Sequence, residues 1–176
     1  MLNYKAALVT AIMLALVGCH KQAKVPSYIE VQPTKPTKPM KPIPQPVEYI
    51  NLTSDTLFQF NASGAQDLLP AGRAKLDEIA QGLKSRYVSI QSIELVGHTD
   101  RLGQAEYNYN LGMKRARTVY DYLQARGIPA NAMSYKSAGE NQPVTDGCFN
   151  VTPRASLIQC LQPDRRVTIA IQGVKR

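Results

Sequence analysis

Residues 97–103 read GHTDRLG and follow the apolar positions Ile93, Leu95 and Val96, so His98, Thr99, Asp100 and Arg101 stand in a row where a buried strand should end. Strand ends are a common place for chemistry, and three uses are open: a metal site, a catalytic acid, or a charge that holds a ligand. A zinc site needs three or four His, Cys, Asp or Glu ligands. The chain has two histidines, and His20 belongs to the N-terminal segment. No G-x-S-x-G elbow is present to supply a hydrolase nucleophile. A glycosidase pair would join Asp100 to Glu106 or Glu140, and nothing in their spacing sets it above chance. The residues therefore form no catalytic constellation and call for no metal and no cofactor, which leaves a charge that holds a ligand.

The elements that must position these residues are those of an α/β (α+β) domain. Thr56-Leu57-Phe58-Gln59-Phe60 alternates and reads as a first strand. Pro70 suits a first helical residue, and Leu76, Ile79, Ala80 and Leu83 make one apolar helix face. Ser92–Gly97 is the second strand. A second helix carries Ala116, Val119, Tyr120 and Leu123 and stops at Gly127, with Pro129 just beyond. Ser134–Ala138 gives a weaker third strand, and Val167, Ile169 and Ile171 alternate as the last. Between these two, Thr152-Pro153 reads as a cap and first residue of a short helix over 154–161. The order β-α-β-α-β-β predicts a mixed sheet with helices packed against it.

The first nineteen residues have Lys5 in a short leader and then the apolar run Ala6–Val17, too brief to span a bilayer, which reads as a secretory signal over 1–18. Residues 19–47 form an arm, and residues 48–176 the folded domain. Pro33, Pro36, Pro39 and Pro42 recur every three residues, the repeat of polyproline II, which sets Lys35, Lys38 and Lys41 in one line. At about 3.1 Å per residue such a spacer reaches roughly 40 Å. Residues 1–47 hold six Lys and one Glu of a chain with net charge +8, so the basicity lies mostly in the arm. That argues against nucleic acid, which needs a basic face on the folded domain. With Cys19 at the signal boundary, Cys148 and Cys160 remain as an even pair in an oxidising compartment. They form either a bridge, stabilising by about 3 kcal/mol for a loop of this length, or two separate buried thiols.

Two resemblances follow from these residues. Leu16-Val17-Gly18-Cys19 resembles the lipobox of bacterial lipoproteins, which implies cleavage before Cys19 and acylation (palmitate) of that cysteine; His20 in place of Asp implies the outer membrane, periplasmic face. GHTDRLGQAEYNYNLGMKRARTVYDYLQARGIP, residues 97–129, resembles the OmpA-like peptidoglycan-binding domain family, in which G-x-T-D is followed by Y-N-x-x-L and R-A. Phe58-Gln59-Phe60-Asn61 and Asp164-Arg165-Arg166-Val167 match that family's first-strand and last-strand motifs, so the resemblance covers about residues 50–174. The lipid anchor is similar to that of the peptidoglycan-associated lipoproteins.

The resemblance implies a non-enzymatic tether that binds the meso-diaminopimelate of the peptidoglycan stem peptide. On that implication Asp100 receives the ligand ammonium and Arg115 its carboxylate, with Asn108, Asn61 and Thr99 as further polar contacts. His98 shapes the loop, Tyr107 and Tyr109 either pack or touch the wall, and Arg165 and Arg166 either line the site or pair with nearby acids. Alone, Asp100 reads as a turn or helix-cap aspartate, and Arg115 as a solvated helix residue paired with Asp121 or with nothing. Two departures stand out. Gly112 replaces the family's usual serine, which removes a hydroxyl and loosens a helix turn by up to roughly 1 kcal/mol, and Asp164 replaces a frequent asparagine. The alternatives are an interaction subunit of a Tol-type, secretion or conjugation assembly with envelope protein partners, and a glycan hydrolase.

Overall fold

The computed structural model describes residues 45–176. The expected signal peptide, Cys19 and the spacer up to residue 44 lie outside the described residues. Strand β1 (Val47–Thr53) leads into a single-turn helix α1 (Ser54–Leu57), then helix α2 (Pro70–Arg86), strand β2 (Tyr87–His98) and helix α3 (Ala105–Ala125). Strand β3 (Met133–Gly139), helix α4 (Arg154–Cys160) and strand β4 (Arg166–Lys175) complete the domain. With the two short helices set aside, the order is the expected β-α-β-α-β-β. No helix among the described residues is long and apolar enough to cross a membrane.

The sheet runs β1-β4-β2-β3. β4 is antiparallel to both β1 and β2, whereas β2 and β3 are parallel, as they must be when a helical crossover, α3, connects them. Because strand side chains alternate, Ile93 and Leu95 of β2 and Val167, Ile169 and Ile171 of β4 share one face, and all are fully buried. Leu76, Ile79 and Leu83 of α2 and Ala116, Val119 and Leu123 of α3 join them in one cluster. Each large aliphatic side chain buried this way contributes about 1.5–3 kcal/mol. α3 ends just before Gly127, whose φ of +82° takes the chain out of the helix.

Two expectations need correction, and one residue gains a role. The first strand is Val47–Thr53, not Thr56–Phe60. Leu57 and Phe58 are both buried, 1% and 2% exposed, which a strand of strict alternation cannot achieve, and the chain instead turns through α1. Pro153 occupies the cap position of α4 and no side-chain hydrogen bond caps it, so Thr152 does not serve as that cap. Gly112 has a packing role beside its low helix propensity. A Cβ on Gly112 would stand 2.9 Å from the Gly97 carbonyl oxygen, and one on Gly97 would run into the Gly112 carbonyl. These two glycines let α3 lie directly on β2, where the strand delivers Thr99 and Asp100.

Candidate functional site

β2 ends at His98, and a register shift against β3 at Gly97/His98 turns the following residues out of the sheet. The Thr99 amide still bonds the Gly139 carbonyl at 2.9 Å, after which the chain folds over the first turn of α3. Asp100 holds this turn, since its Oδ1 accepts the Leu102 amide at 2.9 Å. The turn role foreseen as an alternative for Asp100 is therefore real. Its second oxygen does something else: Oδ2 accepts from Nη1 of Arg165 at 2.8 Å, beneath a pocket of about 170 Å³. The volume suits the head group of a small ligand and falls short of a typical drug-sized site, roughly 300–1,000 Å³.

All five expected site residues, Asn61, Thr99, Asp100, Asn108 and Arg115, line this one pocket. Arg115 projects from α3 and is 4% exposed, so it is not the solvated helix residue that its sequence alone allowed; the i,i+4 pair with Asp121 is made by Arg117. Its Nε donates to the Ala62 carbonyl at 3.0 Å and its guanidinium lies 5.7 Å from the Phe58 ring centroid. Its two terminal nitrogens make no hydrogen bond within the described residues. Burial lowers its pKa below the ordinary arginine value, and the nearby Asp55 carboxylate works against that shift. The group stays a cation, with the outer edge of its donor fork unused.

The other three lining residues differ in what they have left to offer. The Thr99 hydroxyl is buried and has no partner within the described residues. Asn108, 2% exposed, directs its amide nitrogen to the Asp100 carbonyl at 3.2 Å and to Glu140 Oε2 at 2.6 Å, so its donors are committed to holding the loop. Asn61 has a φ of +57°, a left-handed conformation that asparagine tolerates, and its Oδ1 accepts from the Tyr107 hydroxyl at 2.7 Å.

Arg165 does both things left open for it. It lines the pocket, and it bridges Asp100 to Asp55, whose two oxygens accept from Nε at 3.1 Å and Nη2 at 2.7 Å. These two carboxylates raise its pKa, against the effect of burial. Arg166 is excluded from the pocket. It opens β4 and lies on the face away from the pocket, where it donates to the carbonyls of Asp164 and Gln142. His98 lies on that face too, 3% exposed, so it is not a ligand contact in this pocket.

Sequence reasoning missed Asp55, Phe60 and Arg154. Asp55 meets Arg165 across 110 residues, and no local pattern announces such a pair. Arg154 arrives on α4, which the Cys148–Cys160 disulfide ties down; the bridge settles the choice between a disulfide and two free thiols. Phe60 is 90% exposed and stands at the pocket mouth. Its place in a presumed strand hid it.

Residues 58–154 match the OmpA family. The chain is similar to outer membrane protein A of Salmonella typhi, 45% identical over 129 residues that cover 73% of this chain and 36% of that protein. Outer membrane protein A of Klebsiella aerogenes is 46% identical over 125 residues, 70% of this chain and 35% of that one. The chain thus spans about a third of the length of these two relatives. Among solved structures, the peptidoglycan-associated lipoprotein from Burkholderia pseudomallei is 30% identical with a TM-score of 0.52, covering 69% of this chain and 89% of that one. The cell wall anchor of the T6SS from Pseudomonas aeruginosa shares the fold at 21% identity and a TM-score of 0.57, covering 72% of this chain and 82% of that one.

Proposed function

The chain belongs to the OmpA family, and from that membership and the charged pocket we propose that it binds peptidoglycan non-covalently, as a tether and not as an enzyme. The ligand head is the free amino-acid end of a meso-diaminopimelate in the stem peptide, which carries an ammonium beside a carboxylate. Arg115 carries the argument: a cation 4% exposed, fixed through Nε and π contact, whose two remaining nitrogens face a pocket with no carboxylate in ion-pair range among the described residues. A guanidinium held open in that way is prepared for a carboxylate at the outer edge of its fork. Asp100 receives the ammonium. Each of its oxygens already accepts one hydrogen bond and keeps a second acceptor site. The Thr99 hydroxyl, without a partner of its own, serves either group.

The lipoprotein-like sequence at Leu16–Cys19 adds the other end of the tether, an acyl anchor in the outer membrane with the domain in the periplasm and the proline spacer between. Resemblance to a peptidoglycan-associated lipoprotein and to a secretion-system wall anchor supports this reading, and it accommodates envelope protein partners at other surfaces.

The test is co-sedimentation of the purified protein with insoluble peptidoglycan, with and without free diaminopimelate as competitor. Charge-assisted pairs contribute about 1.5–3 kcal/mol each, so Asp100→Ala and Arg115→Ala are each expected to lower affinity at least about tenfold. Thermal melts confirm that both variants remain folded. Undiminished sedimentation of both folded variants refutes the site.

A further inference from the structure

Helix α4 is fastened to the strand-end loop from two directions. Cys160 at its end is bridged to Cys148, and the Cys148 carbonyl accepts from Nη2 of Arg101, the residue next to Asp100, at 2.6 Å. The Ile158 carbonyl, in the same helix, accepts from Nη1 of Arg165 at 3.0 Å, the nitrogen that also bonds Asp100. α4 is therefore a fixed wall of the pocket, and its first residue, Arg154, lines that pocket as well.

The charges of the lining do not cancel. Three guanidinium groups, of Arg115, Arg154 and Arg165, face two carboxylates, of Asp55 and Asp100. Both carboxylates are taken by Arg165. Arg154 is exposed, and no hydrogen bond or ion pair within the described residues engages it. A head group of one ammonium and one carboxylate satisfies Asp100 and Arg115 and leaves Arg154 unmatched.

We propose that Arg154 binds a second carboxylate of the ligand, and that the domain thereby distinguishes stem peptides whose adjoining carboxylate is free from those in which it is amidated. This rests on the peptidoglycan reading above and adds a specificity that Asp100 and Arg115 do not supply. A flexible, exposed cation contributes modestly to affinity, so the discrimination is a few-fold and depends on salt.

Isothermal titration of the full chain with two synthetic tripeptides tests it: L-Ala-γ-D-Glu-meso-diaminopimelate with a free carboxylate on the acylated centre of the diaminopimelate, and the same peptide with that one group as a primary amide, the free amino-acid end being intact in both. The wild type is expected to prefer the free acid about three- to fivefold at low salt. In Arg154→Gln the preference falls to about one, and in Arg154→Lys part of it survives, because a cation remains. Equal affinity of the wild type for the two peptides, or a preference that Arg154→Gln leaves intact, overturns the inference while the peptidoglycan reading stands. Failure of the wild type to bind either peptide overturns both.

Discussion

Asp164, Arg165 and Arg166 are consecutive, yet they serve two clusters of charge on opposite faces of the sheet, and the clusters differ in what remains unused. On the face away from the pocket, Asp164 Oδ1 accepts the Val144 and Thr145 amides at 2.7 and 2.9 Å, and Oδ2 accepts the Thr145 hydroxyl at 2.6 Å. Arg166 donates to two backbone carbonyls. The charges there hold down the long connection between β3 and β4. On the pocket face, Arg165 ties two acids together, while Arg115 and Thr99 keep polar atoms with no partner within the described residues and Arg154 keeps its whole guanidinium. A buried charge whose hydrogen bonds are all taken up within the fold around it is structure. A buried charge that retains directional capacity toward a cavity is a site.

The sharpest test of that contrast exchanges the two aspartates. Asp164→Ala leaves two backbone amides and a hydroxyl without their charged acceptor, and should cost about 3 kcal/mol of stability, read from urea unfolding. Wall binding by the folded fraction should persist. Asp100→Ala should do the reverse, with the larger loss in binding. The contrast breaks if folded Asp164→Ala cannot sediment with peptidoglycan. Burial pushes the Asp164 pKa up, but the bonds from Thr145 and Val144 and the Arg166 charge outweigh it and leave the value below the usual 3.8. The stability it contributes is thus present above pH 3.8 and disappears as the pH falls through the lower folded value.

A second prediction concerns His98, which shares the far face with Arg166 and has a buried Nδ1 with no partner within the described residues. Burial, and then the Arg166 charge, push its pKa from 6.5 down to about 4, against a smaller opposing effect of Asp164. Between these values the unfolded chain takes up a proton that the folded chain refuses, so stability declines as the pH drops from about 6.5 toward 4 and is unaffected by this group above 6.5. At pH 5 the loss amounts to about 2 kcal/mol. His98→Asn should lose that part of the acid sensitivity, measured as unfolding midpoints at pH 7.5 and pH 5. An unchanged difference between the two pH values would mean that His98 is protonated in the native state.

How much of this could be read in advance depended on whether the signal was local. α2, α3 and β4 announced themselves because their apolar residues repeat with one period over several turns or pleats, and the core residues Leu76, Ile79, Val119, Ile169 and Ile171 lie where that period put them. β1 did not. It is an edge strand with Val47 and Tyr49 exposed, 43% and 66%, so its alternation carries little hydrophobic contrast, while the aromatic spacing of Phe58 and Phe60 imitated a strand. The five expected pocket residues came from ordered motifs, and four of them sit within one strand-loop-helix passage. Asp55 and Arg154 enter from distant segments through an ion pair and a disulfide-held helix, and neither contact has a sequence period. Arg165 and Arg166 were separable only once the start of β4 was known, since Arg166 opens the strand and Arg165 still belongs to the turn before it.

The smallest effect tests the ground on which the pocket stands, the close approach of α3 to β2. Helix propensity alone favours replacing Gly112, by up to about 1 kcal/mol for alanine. The packing argues the other way. A Cβ there meets the Ser137 hydroxyl of β3 and stands 2.9 Å from the Gly97 carbonyl oxygen, so helix and strand must separate by a few tenths of an ångström. The Ser137 hydroxyl is anchored, accepting the Gly139 amide at 3.0 Å, and does not simply rotate away. Gly112→Ser, which restores the residue usual at this point in the resembling family, should therefore destabilise this chain by about 1 kcal/mol. Adding Ser137→Ala frees part of the space, so the double variant should lie closer to the wild type than the two single losses added together. Additive losses in that cycle would show that the approach is set elsewhere, and that the strand end carrying Asp100 is not fixed by this contact.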